Sequence, residues 1–321
     1  VFRDGSWIVA SNDHLWAALN IENRRRIIKW PYRVADWRNH WDGAETLTTR
    51  EMAARATCGG WQRWRIPTAQ PLQTSEPWPL SVPPYTFGAW LGDGTTVRGE
   101  ITSHVDDAEF MLSMVGGRYV HTQGHKTKPN VRCIQFVENA VTDCPSREVG
   151  GKRIPTQVLR CSITDRLELL RGLMDTDGTC GTRIDGKYHT GYGCSIGLSD
   201  AQLIGDVEEL ITSLGWITRR TSRQMKKNGK NFGKLAHNLA FAPSVNPFKL
   251  PRKASVWEHR VHHTEGRQRS ASTQRTIAAF EPVEDQLVKC VVVDSPRHLY
   301  LASDWMIPTH NSFVAARAAG W

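Results

Sequence analysis

"LLRGLMDTDGT" (residues 169–179) is an apolar, helix-periodic run that stops at Asp-Gly. A glycine just past the last periodic residue is a helix-ending signal, so the stretch brings one carboxylate, Asp177, to the tip of a helix. Upstream, "FGAWLGDGT" (residues 87–95) has the same form and brings Asp93 to a second tip. Small residues lie on both runs: Gly88, Ala89 and Gly92 on the first, Gly172 and Thr176 on the second. They let two helix backbones approach closely, which would set the two carboxylates side by side. Paired carboxylates in one cleft repel unless a cation lies between them. A hard divalent cation, Mg2+ or Mn2+, suits that oxygen environment, and such a metal activates water and stabilises the leaving oxygen of a phosphodiester. Either stretch alone reads as a capped core helix. Two in matching contexts favour the cation site.

The surroundings repeat as well. "YHTGYGCSIGLS" is strand-like, and "DAQLIGDVEELITSLGW" is an amphipathic helix with Ser199 or Asp200 as its cap. An order of helix, Asp-Gly, strands and helix thus occurs twice. "IPTAQPLQTSEPWPLSVPPY" reads as a Pro- and Ser-rich linker, and the basic, Ser-rich residues 249–275 as another. "SWIVASNDHLWAAL" reads as a strand, a polar turn and a further apolar segment, and "TTREMAARA" as a short helix capped by Thr48 with Glu51 three residues on. Near the other end, "QLVKCVVVD" and "RHLYLASDWMI" read as strands.

The 321 residues carry a net charge of +9 and 13 Trp, several beside Arg as in "WQRWR". That balance favours an anionic partner, nucleic acid first. The Trp-Arg pairs suit base stacking and phosphate contact, or ordinary packing under snorkelling arginines. Seven Cys without a CxxC argue against a disulfide framework or zinc site and for a reducing cytoplasm, bacterial or phage-infected. No apolar run approaches the roughly 20 residues of a membrane span, so no membrane partner is expected.

"FGAWLGDGT" and "LLRGLMDTDGT" resemble the two LAGLIDADG (dodecapeptide) motifs of homing endonucleases. "GKRIP" before the second and "ITSLGW" after it match the family's intervening blocks. The resemblance covers residues 84–251. It implies a pseudo-symmetric αββαββα pair on double-stranded DNA at a long pseudo-palindromic site. It also implies metal-binding acids Asp93 and Asp177, with backbone oxygens from Gly92 and Thr176. A basic residue assisting near the metals would come from Lys226, Lys227, Lys230 or Lys234, which also read as a solvated hairpin holding DNA phosphates.

The flanks resemble inteins, the self-splicing elements in which such endonucleases are inserted. "GSWIVASNDHLW" is similar to the block that polarises the N-terminal scissile amide, with Ser11 and His14 in the Thr-x-x-His positions. "LVKCVVVDSPRHLYLASDWMIPTHNS" is similar to the two C-terminal blocks. The resemblance implies that Asn311 cyclises, that His310 or His298 protonates the leaving amine, and that Ser312 is the first residue of the following extein. Trp16, Cys290 and Thr309 together resemble class 3 inteins, which implies Cys290 as the nucleophile. A packed strand cysteine is the alternative for Cys290.

These resemblances lead to an α+β expectation, an all-β HINT splicing domain interrupted by the endonuclease. The expected segments are 1–30 (splicing domain, its first block missing), 31–80 (basic Trp-rich linker or DNA-contacting segment), 81–251 (endonuclease), 252–279 (linker), 280–311 (splicing domain) and 312–321 (extein). The missing block would be a truncation or a separate chain, supplied in cis or in trans, and the flanking exteins would be partners. The expected function is protein splicing, without a cofactor, plus Mg2+- or Mn2+-dependent cleavage of DNA. The alternatives are a non-cleaving DNA-binding remnant or a fragment of a terminase-like P-loop ATPase host, although no Walker A sequence occurs in these residues.

Overall fold

The computed structural model describes residues 1–20, 44–95, 99–120, 129–136, 151–181, 183–184, 187–188, 193–227, 230–264, 274–286 and 291–311. The chain divides into two units. Val1–Gln70, Gly215–Arg219 and Gly266–Trp321 make the first, and Pro71–Leu214 with Arg220–Glu265 make the second. Each contains both helix and strand.

The first unit is built from short antiparallel pairs. Strand β1 (Leu15–Ala18) pairs with β2 (Glu45–Thr48), and helix α1 (Thr49–Ala54) follows directly. Thr48 and Glu51 close a full capping box at its start, so the local sequence sets this helix. Hairpin β3 (Thr57–Cys58) and β4 (Trp61–Gln62) comes next, then β5 (Arg65–Pro67). These elements fall where a linker is expected over 31–80, because Met52, Trp64 and Ile66 are apolar and join Trp16, Ala18 and Ile307 in one core.

The second unit is organised by two helices. Helix α2 (Pro84–Asp93) starts with Pro at its first position and buries every residue from Tyr85 through Leu91. A three-stranded sheet follows, with β6 (Glu100–His104), β7 (Arg118–Tyr119) and β8 (Val131–Gln135) in the order β6-β8-β7. Helix α3 (Val105–Val115) lies in sequence between β6 and β7 and ends at Gly116 in the left-handed region, φ 65°. Helix α4 (Ile163–Asp177) is capped by Ser162, which accepts from the Asp165 N–H.

Beyond α4 lie β9 (Gly178–Cys180), β10 (Arg183–Ile184), β11 (Lys187–Tyr188) and β12 (Cys194–Leu198), then α5 (Ala201–Ser213) capped by Asp200. Long strands β13 (Thr218–Lys227) and β14 (Lys230–Phe241) complete an antiparallel sheet in the order β13-β14-β12-β9. Helix α6 (Pro251–Thr264) occupies much of the expected 252–279 linker. Its Arg252 donates two hydrogen bonds, of 2.7 and 2.6 Å, to the Asp107 carboxylate of α3.

The first unit closes with β15 (Gln274–Thr276), antiparallel to β5, and with β16 (Leu299–Ala302) paired to β17 (Ile307–His310). The strand expected in "QLVKCVVVD" is not seen in its described part, residues 286 and 291–294, where Val291 and Val292 are exposed.

Candidate functional site

Helices α2 and α4 meet along their small residues. A methyl group on Gly88 would overlap the Leu169 carbonyl oxygen, and one on Gly172 would overlap the carbonyl of Tyr85 and come 2.6 Å from the Ala89 nitrogen. Real side chains do not tolerate such approaches, so glycine is required at both positions. The contact runs to the tips. A methyl on Gly92 would stand 2.8 Å from Oδ2 of Asp177, which places that carboxylate against the end of the other helix.

The glycines that end these helices are not in the left-handed region. Gly94 and Gly178 are extended, with φ of −78° and −83°. Glycine is needed there because the chain doubles back. A Cβ on Gly94 would strike Trp90, and one on Gly178 would sit 2.6 Å from the Met174 carbonyl oxygen.

Two carboxylates at adjoining tips raise each other's cost of ionisation. Burial raises the Asp177 pKa, the negative charge of Asp93 adds to it, and the value reaches about 6. Asp93 is raised by burial, while Lys152 and Lys253 act in the other direction. These lysines are the residues the sequence reading missed. Lys152 Nζ donates to the carbonyls of Leu91 and Gly92, both at 3.0 Å. Lys253 Nζ lies within hydrogen-bond distance, 2.7–3.2 Å, of the carbonyls of Met174, Asp175, Thr176 and Gly178, and its three N–H groups are shared among them. Each ammonium thus sits on the negative end of one helix and satisfies carbonyls that have no partner within it. Burial and the neighbouring Arg252 lower the Lys253 pKa to about 8.

The lysines also change the expected ligand set. The Gly92 and Thr176 carbonyls, expected to face a cation, accept hydrogen bonds from lysine instead. Among the described residues, no cluster of three or more His, Cys, Asp or Glu side chains forms a metal site. The oxygen donors that suit a cation are therefore Asp93 and Asp177.

Lys226, Lys227, Lys230 and Lys234 lie on the β13–β14 ribbon, away in sequence from the helix tips. Their side chains lie outside the described residues. Beside them on β13, residues 219–225 are all exposed and include Arg219, Arg220 and Arg223. Arg220 faces Glu208 at 3.8 Å.

In the first unit the other sequence-derived candidates converge. His14 Nε2 and the Thr309 hydroxyl share a hydrogen bond that ties the residue before β1 to β17. The His14 ring meets Trp16 edge-on at 4.9 Å, and Trp16 Nε1 donates to Thr49 at 3.0 Å. His298 and His310 rings lie 5.8 Å apart. The buried Asn311 donates its N–H to the His298 carbonyl at 2.8 Å, and its own carbonyl lies 2.7 Å from His310 Nδ1. Ser11 is exposed in the turn before His14, and its carbonyl accepts from the His14 N–H. Burial, reinforced by the facing His310, lowers the His14 pKa to about 4. Cys290 and Ser312 lie outside the described residues.

No family model matches the chain. A curated relative, the replicative DNA helicase DnaB of Mycobacterium intracellulare, is 34% identical over 314 residues, 97% of this chain. The chain spans about half the length of that relative, 49%. This finding overturns the reading of the chain as an intein carrying a homing endonuclease. The relative carries the name of a replicative helicase, not that of a splicing element or site-specific endonuclease. The splicing roles of Cys290, Asn311 and their neighbours and the cleavage role of Asp93 and Asp177 are withdrawn with it. Among the described residues, no helix is long and apolar enough to cross a membrane.

Proposed function

We propose that this chain contributes a double-stranded DNA-binding module to a DnaB-related protein, with a divalent cation held between Asp93 and Asp177. The observation that carries the DNA reading is the β13–β14 ribbon. Its strands are 10 and 12 residues long. At about 3.3 Å per residue, the shorter one reaches roughly 33 Å. A two-stranded ribbon fits the major groove of B-DNA. The exposed Arg219, Arg220 and Arg223 supply positive charge along it, and the chain carries +9 overall. The relative's name supports a DNA partner.

The cation reading rests on the helix tips. Burial raises the Asp177 pKa and repulsion from Asp93 adds to it; a cation there would offset the repulsion and would fix the two ends where β9, a strand of the ribbon's sheet, begins at Gly178. Hard oxygen donors suit Mg2+ or Mn2+.

The test is fluorescence anisotropy of a labelled duplex with the whole chain across a salt series. Binding should weaken steeply with salt, and Arg223→Ala, Lys226→Ala and Lys227→Ala should each lower the log–log slope by about 1. Binding unchanged in the triple variant would remove the ribbon from the interface. Cutting of the duplex in Mg2+ would overturn the binding-only reading.

A further inference from the structure

The two tryptophans of "WQRWR" have opposite fates. Trp64 is buried, and its Nε1 donates to the Met52 carbonyl at 3.0 Å. Trp61 is 70% exposed at the head of the β3–β4 hairpin. The hairpin is tight, with Cys58 opposite Trp61 and only Gly59 and Gly60 between them. Both glycines have positive φ, 56° and 76°, as a two-residue turn of this hand requires. A Cβ at either would meet nothing within 4 Å, so there is open space beside both turn glycines.

The base of the hairpin is fixed. Gln62 Nε2 donates to the Ala278 carbonyl at 2.9 Å, and the Arg63 N–H to the Ala56 carbonyl at 2.9 Å. The tip is therefore a rigid mount for one large aromatic ring. Its neighbours on the hairpin, Thr57, Cys58, Gly59 and Gly60, are small and exposed. An apolar docking surface for a protein would continue into further large side chains, and along the described hairpin residues this one does not. Cations flank it in sequence instead. Arg55 is exposed just before β3, and the Arg63 guanidinium stands 5.2 Å above the Trp64 ring just after β4. The nearby Glu51 is occupied by the capping box.

We propose that the 57–62 hairpin is a stacking site for unpaired nucleotides, with Trp61 taking a base and Arg55 and Arg63 the adjoining phosphates. A lone aromatic face with flanking cations matches the chemistry of single-stranded nucleic acid. Bases inside a duplex are already stacked and offer no face to Trp61. The site lies outside the unit that bears the duplex-binding ribbon, and it stands without that reading.

The test uses the whole chain with a fluorescein-labelled oligothymidylate and, separately, a duplex of equal length. Trp61→Ala should weaken the single strand about tenfold or more, the range that loss of one stacked base produces. Trp61→Phe should retain most of the affinity, and duplex binding should be unchanged in both. The triple ribbon variant (Arg223→Ala, Lys226→Ala, Lys227→Ala) should keep its dependence on Trp61 for the single strand, which separates this site from the ribbon. Parental single-strand affinity in Trp61→Ala, with an unaltered melting curve, overturns the proposal. So does an equal loss on duplex.

Discussion

Gly88 and Gly172 face each other across the helix pair, each under the carbonyl of a residue on the other helix, Leu169 and Tyr85. No side chain separates the backbones there. Gly88→Ala or Gly172→Ala must push the helices apart and disturb both tips at once. Each should cost about 3 kcal/mol or more of unfolding free energy, the upper end for overpacked sites. Denaturant titration reads it, and a loss below 1 kcal/mol would mean the helices are not in backbone contact.

The acid pair should report a cation through stability. The Asp177 pKa is raised from its ordinary value to about 6. Its charge therefore disfavours folding above pH 6, and the penalty is absent below about 3.8. In chelator at pH 7, Asp177→Asn should melt above the parent, by up to about 3 kcal/mol of added stability. Millimolar Mg2+ or Mn2+ should raise the parent's melting temperature by a few degrees and leave Asp177→Asn and Asp93→Asn unmoved. An equal metal response in all three proteins would place the cation elsewhere.

His14 gives the opposite pH dependence. Its folded pKa is lowered to about 4 by burial and by His310. Above pH 6.5 both folded and unfolded forms are neutral, and the full stability is present. Between 6.5 and 4 the unfolded chain takes up the proton and the folded one does not, so stability falls as pH falls. The parent should lose melting temperature against His14→Gln across that window. Parallel curves would show that His14 titrates normally.

Arg166 is a fourth test. It is fully buried on α4 and donates to the carbonyls of Cys161, Ser213 and Leu72 and to the Ser213 hydroxyl. Arg166→Met keeps the bulk and orphans these acceptors, at a cost of about 3–5 kcal/mol. Arg166→Lys should recover only part, because the compact ammonium has three N–H groups where the guanidinium spreads five over these four acceptors. Full recovery by lysine in thermal melts would mean that one of the bonds dominates.

Much of the helix pair was legible. Asp93 and Asp177 end their helices, and Asp200 and Thr48 cap theirs, because those signals are local to a few residues. Lys253 was hidden for the complementary reason. It lies in a stretch whose Lys, Arg and Ser content reads as linker, and it finds the end of α4 only through packing. Lys152 was visible within "GKRIP", but nothing in the sequence tells that its ammonium lands on the Leu91 and Gly92 carbonyls. The core role of Trp64 and the exposure of Trp61 were equally illegible, since both sit in the same five residues. The functional reading failed for a different reason: short blocks at the right spacing suggested a splicing element, while the similarity along 97% of the chain is to a protein named as a replicative helicase.

Strand β5 meets β15, and Gln62 reaches Ala278, 216 positions away in sequence. Closing so long a loop in a flexible chain costs on the order of 5 kcal/mol before any contact forms. The second unit lies almost wholly within that loop and leaves the ribosome earlier. Once it folds, the loop is a compact body rather than a random coil, and the entropy of joining its flanks is largely spent. Synthesis from the N-terminus therefore favours an order in which the unit encoded in the middle of the chain forms first and the two outer segments pair with each other afterwards. A variant that slows the interior unit, such as Gly172→Ala, would delay the outer one too, although no residue of the outer core has changed.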